Sequence, residues 1–174
     1  NGIFGYIAHD AVQYFEQLDL DQSKPSQGIP DLYYAVYQNI IAISLFNHEA
    51  HLFSHRMDDA HNLDQLERLI NGKQPSKFGF EKTGEKHSNL TDTQFLDFVE
   101  KGKQHCYRGD VFQLVLSRRF SQGFKGDDFN VYRTLRSINP SPYLFYFDYG
   151  NFKIFGSSPE AQLVVQDGRA EIHP

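Results

Sequence analysis

The sequence predicts an α+β fold, in which helices pack on one side of a largely antiparallel β-sheet. Two dipeptides carry much of this prediction. Gly150-Asn151 and Asp167-Gly168 each separate two apolar runs, as hairpin turns do. The runs are rich in Tyr, Phe, Val and Ile, which favour strands, and they outnumber the segments with helical spacing. Hairpins should therefore connect many of the strands.

The composition is that of a folded protein and argues against some classes of function. The 174 residues are 40% hydrophobic and include 16 phenylalanines and 10 tyrosines, which can supply the core of one domain or of part of a larger one. A net charge of -5 argues against a general nucleic-acid binder. No apolar run reaches the roughly 18 residues of a membrane span. Asn1 is not an initiator, so we expect a chain internal to a longer gene product, and the single Cys106 suits a reducing cytoplasm.

Apolar runs in the first half of the chain predict strands. Residues 2–8 form a glycine-containing run, and residues 32–45 read as one long buried strand. Residues 46–49 should form a turn that leads into a returning strand over residues 50–54.

Helices and irregular segments separate these strands. We expect a short helix over residues 11–18 with Asp10 as its N-cap, and a second helix over residues 62–70. The polar, proline-containing residues 19–30 predict a surface loop. Residues 74–89 are charged and lack periodicity, so we interpret them as a mobile linker.

A capping box marks the clearest helix in the sequence. Gln94 follows Thr91 by three residues, a spacing that allows reciprocal hydrogen bonds at a helix N-terminus, and Gly109 should end the helix. One face of this helix is expected to carry Phe95, Phe98, Val99, Gly102 and Cys106.

The last third of the chain should contain a strand, a helix and two hairpins. The strand is expected over residues 111–121 and the helix over residues 129–138. The hairpins are expected to pair residues 143–149 with 152–157, and residues 161–166 with 169–173.

Gln113 is the one polar residue in the apolar run 111–116. Strand alternation places it on the same face as Val111, Val115 and Ser117. Both faces of the run are mostly apolar, so we expect the strand to be buried, and a buried amide without partners costs about 1–3 kcal/mol. Gln113 is therefore either a structural glutamine bonded to neighbouring backbone or a contact for a ligand.

Small residues precede a glutamate near the end of the chain. Gly156, Ser157 and Ser158 would allow a ligand to approach the backbone closely, and Glu160 follows Pro159 after the strand. From this motif alone, Glu160 is either an exposed loop glutamate or a functional carboxyl.

A proline-rich segment leads into the first hairpin. Pro140 and Pro142 stiffen it, Asn139 can close a local turn, and alternate aromatic residues should share one face of the following strand. Taken alone, this is a helix-to-strand connection with core aromatics. Its residues are Asn139, Pro140, Pro142, Tyr143, Leu144 and Phe145.

The segments at residues 109–120, 139–147 and 156–160 together resemble those of the chorismate-using enzymes, most closely the anthranilate synthase large subunits. The resemblance is strong over residues 102–174, recognisable at residues 2–16 and 30–46, and missing from the linker. It implies that residues 1–174 are part of a single chorismate-binding domain with that family's β-sandwich fold.

The resemblance also implies a chemistry. Such enzymes add ammonia to C2 of chorismate and expel the C4 hydroxyl, and the glutamate matching Glu160 acts as general acid, which contributes about 10²–10⁴-fold. This role needs a carboxyl that burial or nearby carboxylates keep protonated. Gly156, Ser157 and Ser158 would then bind substrate. Gln113 stands where water-using relatives carry a lysine, and since an amide cannot deprotonate water, Gln113 favours ammonia as nucleophile.

In this family, the segment matching Asn139–Phe145 forms one wall of a tryptophan feedback site. That segment usually carries Met where this chain has Leu144, and the two side chains have similar volumes. The other wall contains a Leu-Leu-Glu-Ser segment that these 174 residues lack.

The remaining implications concern cofactor and partners. The resemblance implies Mg²⁺, with its ligands expected after Pro174, so that no metal ligand lies within these residues, and a glutamine amidotransferase subunit that supplies ammonia. We expect the 174 residues alone to be inactive. Two alternatives stay open: aminodeoxychorismate synthase of folate synthesis, and a scaffold or regulatory module without catalysis.

Overall fold

The computed structural model describes residues 2–20, 28–55, 63–72 and 79–172. These residues form a mixture of strands and α-helices, with one 3-10 helix at His9–Tyr14. The strands are β1 (Ile3–Ile7), β2 (Leu32–Val36), β3 (Asn39–Ser44), β4 (Glu49–Ser54), β5 (Phe80–Ser88), β6 (Phe120–Gly126), β7 (Tyr143–Asp148), β8 (Lys153–Ser158), β9 (Leu163–Gln166) and β10 (Arg169–Ile172). The helices are α1 (Leu63–Asn71), α2 (Asp92–Arg108) and α3 (Phe129–Ile138).

Within the described ranges the strands pair two by two, as β1–β2, β3–β4, β5–β6, β7–β8 and β9–β10. The β1–β2, β3–β4, β5–β6 and β9–β10 ladders are antiparallel. This combination of helices and antiparallel strands confirms the α+β class. Residues 21–27, 62, 74–78 and 173 of the predicted elements lie outside the described residues.

The chain divides into two compact units. The first comprises Asn1–Ser76 with Phe145–Phe155, and the second comprises Lys77–Leu144 with Gly156–Pro174.

The prediction of one long strand over residues 32–45 is wrong. The chain forms β2, bends at Gln38 and continues as β3. The two strands belong to different ladders. β2 pairs antiparallel with Ile3–Ile7 of β1, whereas β3 pairs with β4. Each ladder is only as long as its partner strand, so a continuous apolar run does not yield a continuous strand.

The helix predicted over residues 11–18 is also wrong in type and position. A 3-10 helix spans His9–Tyr14, and the residue before it is Ala8 rather than Asp10. The Asp10 carboxylate lies inside the first turn, where its Oδ1 is 3.1 Å from Nδ1 of His9. Because Asp10 bonds to its neighbour, its side chain does not cap the backbone.

The linker predicted over residues 74–89 is wrong where the structure describes it. β5 occupies Phe80–Ser88 and pairs with β6. Thr83 is its one half-buried residue, so charged side chains on this strand face solvent and the sequence shows no apolar alternation. The Phe80 and Phe124 rings stack at 5.4 Å across the pair. A distant partner strand therefore orders a segment whose own composition indicates a loop.

The strand predicted over residues 111–121 begins only at Phe120. Residues 111–119 have no regular secondary structure, with a bend at Phe112, and belong to no ladder in the described part of the chain. Phe112 is 100% exposed and Val115 is 81% exposed, so the expected burial is absent as well. The segment instead packs against α2, where a Cβ on Gly102 would lie 2.9 Å from Leu114 Cδ2.

Local signals predicted the remaining elements correctly. At the start of α2, the Gln94 N–H donates to Thr91 Oγ1 at 3.2 Å and the Thr91 N–H donates to Gln94 Oε1 at 2.9 Å, which confirms the capping box. Gly109 ends α2 with φ 78°, and α3 spans the predicted residues. Asp167 and Gly168 have φ values of 51° and 74°, as a type I′ hairpin turn requires.

Little apolar surface is fully buried in the described ranges, where Ala11 is the one buried hydrophobic residue. In the first unit, several aromatic rings nevertheless pack around Tyr149. The Tyr149 ring lies 4.2 Å from the Tyr33 ring, 5.0 Å from Phe152 and 5.8 Å from Tyr6. No helix in the described residues is both long and apolar enough to cross a lipid bilayer.

The Tyr149 hydroxyl gives a pH-dependent prediction. It is buried without a hydrogen-bond partner in the described part of the chain, and burial, followed by the nearby Tyr37 and Tyr6, raises the pKa of Tyr149 above its usual 10.0. The folded protein thus favours the protonated phenol, and the resulting stability is complete below pH 10 and is lost as the pH rises further.

Tyr149→Phe in the intact protein should leave the free energy of unfolding at pH 7 unchanged or raise it by up to about 1 kcal/mol, since an unpaired hydroxyl is removed. The loss of stability above pH 10 should become smaller. Urea unfolding at pH 7 and at higher pH measures both effects, with Tyr107→Phe, at an 86% exposed position, as control. A marked loss of stability at pH 7 would show that the hydroxyl has a partner.

Candidate active site

The candidate site is centred on the end of β8, where the predicted substrate-binding residues lie. Gly156, Ser157 and Ser158 are the last three residues of this strand, and all residues of β8 are half-buried. Because β7 and β8 pair as a hairpin, the end of β8 lies beside the residues that precede β7. Ser157 Oγ donates a hydrogen bond to the carbonyl of Asn139 at 2.6 Å. The hairpin thus joins two of the three segments that the sequence singled out.

Glu160 follows this strand in a short turn. Its backbone N–H donates to Ser158 Oγ at 3.4 Å, and Ser158 Oγ lies 3.2 Å from the Glu160 carbonyl oxygen. The Glu160 side chain is exposed, so the described residues do not provide the burial that a general acid was expected to need. The carboxylate is accessible to a ligand that approaches the end of β8.

The proline-rich segment connects α3 to β7. Asn139 ends α3, and its N–H donates to the Leu135 carbonyl at 2.8 Å. Tyr143 and Phe145 are 47% and 36% exposed, whereas Leu144 between them is half-buried. Exposure therefore alternates over the first three residues of β7, as predicted, but half-buried Phe147 departs from this pattern. The two aromatic residues are surface residues in the described structure, and the expectation of core aromatics is wrong for them. Pro140 and Pro142 are likewise exposed.

Gln113 lies apart from this pair of segments. It belongs to the irregular residues 111–119, and it is exposed rather than buried. In the described chain, no hydrogen bond joins it to Glu160. Leu114 and Leu116, which follow it, lie against Gly102 of α2.

Sequence reasoning missed a polar contact at the end of this segment. Arg118 Nε donates to Ser88 Oγ at 2.7 Å, and its guanidinium also bonds Asp92 Oδ1 at 2.5 Å. The Arg118 side chain is 18% exposed, and its guanidinium carbon lies 4.7 Å from the centre of the Phe120 ring. The neighbouring Arg119 is exposed. Through its bond to Asp92, Arg118 connects the end of residues 111–119 to the start of α2.

An open groove of about 470 Å³ lies along α2, and Cys106 on its wall is exposed. The groove is lined by Phe95, Val99, Gly102, Lys103, Cys106, Tyr107, Leu114 and Leu116.

The acidic and histidine side chains of the described ranges do not form a metal centre. No group of three His, Cys, Asp or Glu residues with metal-binding geometry occurs there. His51 Nε2 lies 3.7 Å from Glu49 Oε2. The described residues therefore do not fit a Mg²⁺ site, which would need several converging oxygen ligands.

Comparison with known proteins identifies the class. The family model described as chorismate binding enzyme matches residues 1–174, and the chain belongs to this family. Among its relatives, anthranilate synthase component 1 of Aquifex aeolicus is 32% identical over 99% of this chain and 38% of its own length. The same-named protein of Geobacillus stearothermophilus is 53% identical over half of this chain and 17% of its own length.

A solved structure supports the same relationship. The crystal structure of anthranilate synthase component I from Streptococcus pneumoniae TIGR4 matches with a TM-score of 0.75 and 27% identity. The match covers 97% of this chain and 41% of that chain. Nearly the whole of this chain is matched in these two relatives, and it spans about two fifths of their length.

Arg118→Met in the intact protein should lower the free energy of unfolding by about 1–2 kcal/mol, because a mostly buried guanidinium loses charge-assisted hydrogen bonds while exposed Asp92 stays hydrated. Arg119→Met is the matched control and should change stability by less than about 0.5 kcal/mol. Chemical denaturation measures both variants. Equal effects of the two substitutions would contradict the role given to the Arg118 contacts.

Proposed function

We propose that this chain is part of an anthranilate synthase large subunit, which converts chorismate and ammonia to anthranilate and pyruvate. The observation that carries this proposal is the match of the whole chain to the chorismate-binding family, together with relatives named anthranilate synthase component 1. The Gly156–Glu160 segment supports it, because small residues and a solvent-accessible carboxylate are placed together at the end of one strand.

Glu160 is the proposed general acid. Hydroxide is a poor leaving group, so the C4 hydroxyl of chorismate needs a proton as its bond to carbon breaks. Glu160 is accessible, and the turn at Ser158 fixes its backbone. Other parts of the intact domain would have to surround the carboxyl and exclude water, since the described residues leave it exposed.

Gln113 is the proposed determinant of the nucleophile. Its amide has no useful basicity and cannot activate water, whereas ammonia already carries a nucleophilic lone pair. Because Gln113 is exposed, its amide is accessible to a substrate bound in the intact domain.

The remaining parts of the proposed function are a partner subunit, an inhibitor and a metal ion. A glutamine amidotransferase subunit would supply ammonia in the cytoplasm, and tryptophan would bind against residues 139–145 as feedback inhibitor. Mg²⁺, held by residues of the intact domain, would offset the negative charge of the substrate carboxylate.

Glu160→Gln in the intact protein should lower kcat for anthranilate formation by about 10²-fold or more, because the amide cannot donate the required proton. Chorismate binding should change little. Anthranilate fluorescence in the presence of ammonium, chorismate and Mg²⁺ measures turnover, and Glu171→Gln on exposed β10 is the matched control. Near-normal turnover of Glu160→Gln would remove Glu160 as general acid. An aminodeoxychorismate product from the unmodified protein would assign it to the folate pathway.

Gln113→Lys should lower anthranilate formation at least about tenfold and should give a hydroxylated product, because a neutral lysine amine can activate water. Mass spectrometry of the products separates the two outcomes. Gln104→Lys, the same substitution at an exposed position of α2, should leave the products unchanged. Unaltered amination by Gln113→Lys would show that this position does not select the nucleophile.

A further inference from the structure

We propose that Ser157 is a positioning residue whose hydroxyl holds the Glu160 segment against the turn that precedes β7. This inference rests on the proposed role of Glu160 and changes the role expected for Ser157, which was direct contact with substrate. The Ser157 hydroxyl lies 2.6 Å from the Asn139 carbonyl oxygen and 2.8 Å from Ser141 Oγ.

The number of protons fixes the direction of these two bonds. A serine hydroxyl carries one proton and accepts through its oxygen, and a carbonyl can only accept. Ser157 must therefore donate to Asn139, and Ser141 must donate to Ser157. This arrangement uses the Ser157 proton and one of its lone pairs within the protein, which leaves the hydroxyl poorly suited to bind substrate as a donor.

Ser157 makes hydrogen bonds to a distant segment of the chain, which the neighbouring residues do not. Among the described residues, the Ser158 hydroxyl bonds to Glu160, two positions further along the same segment. Pro159 has no N–H with which to extend the β8 ladder. The contacts of Ser157 instead reach across 16 and 18 positions of sequence. The Ser157 hydroxyl thus adds, to the backbone pairing of β7 with β8, a side-chain contact between this end of β8 and the end of α3.

The catalytic consequence follows from the distance that proton transfer requires. A general acid must lie within hydrogen-bond reach of the leaving oxygen, and a displacement of about 1 Å can cost up to about 10² in rate. Loss of the Ser157–Asn139 hydrogen bond should therefore reduce the rate of the chemical step. If Ser157 bound chorismate directly, its loss would raise KM instead.

In the intact protein, Ser157→Ala should lower kcat for anthranilate formation about tenfold and leave KM within about twofold. Ser157→Thr keeps a hydroxyl and should restore most of kcat. Ser137→Ala is the matched control, since Ser137 Oγ donates to the Arg133 carbonyl within α3. Ser141→Ala combined with Ser157→Ala should add little to the loss, because the two hydroxyls act through one chain of hydrogen bonds.

A second readout is independent of catalysis. Deuterium uptake over residues 156–162 should be faster in Ser157→Ala than in the unmodified protein, and Ser137→Ala should leave it unchanged. Unchanged uptake in Ser157→Ala would show that the Ser157 hydroxyl does not hold the Glu160 segment in place. An unchanged kcat, a rise in KM alone, or an equal loss in Ser157→Thr would overturn the positioning role. Failure of the proposed function itself would appear separately, as absence of anthranilate from the unmodified protein or full activity of Glu160→Gln.

Discussion

The candidate site depends on the pairing of β7 with β8. This hairpin brings the residues before β7 beside the end of β8, so that Ser157 reaches the Asn139 carbonyl across 18 positions of sequence. The turn that makes the pairing possible is short, and it is supported by Gly150 at φ 84°, whose N–H donates to Asp148 Oδ1. Without the pairing, the Gly156–Glu160 segment and the proline-rich segment would not be held next to each other.

Features that depend on neighbours in sequence were predictable. The capping box of Thr91 and Gln94, the helix end at Gly109 and the turn at Asp167-Gly168 each need residues only a few positions apart. The physical causes are a satisfied N–H at a helix end and a positive φ that glycine or aspartate tolerates. Such signals are complete within a short window, so the sequence contains all the information that they require.

Features that depend on distant partners were not predictable in the same way. β5 looked like a linker because its side chains are charged, yet β6 lies far along the chain and pairs with it. Residues 111–119 looked like a buried strand, but no ladder forms there in the described chain and Leu114 packs on α2 instead. In the site, the Ser157 and Glu160 motif was visible in the sequence. The contacts of Ser141 and Arg118 were not, since each depends on a residue brought close only by folding.

The central claim is that Glu160 delivers a proton to the C4 oxygen of chorismate from a segment held by Ser157. The most direct test is a crystal structure of the intact Glu160→Gln variant with chorismate bound. If Glu160 is the general acid, the side chain at position 160 will lie about 3 Å from the C4 oxygen, with the Ser157–Asn139 hydrogen bond intact. A C4 oxygen that contacts a different acidic group, with the side chain at position 160 pointing away, would contradict it.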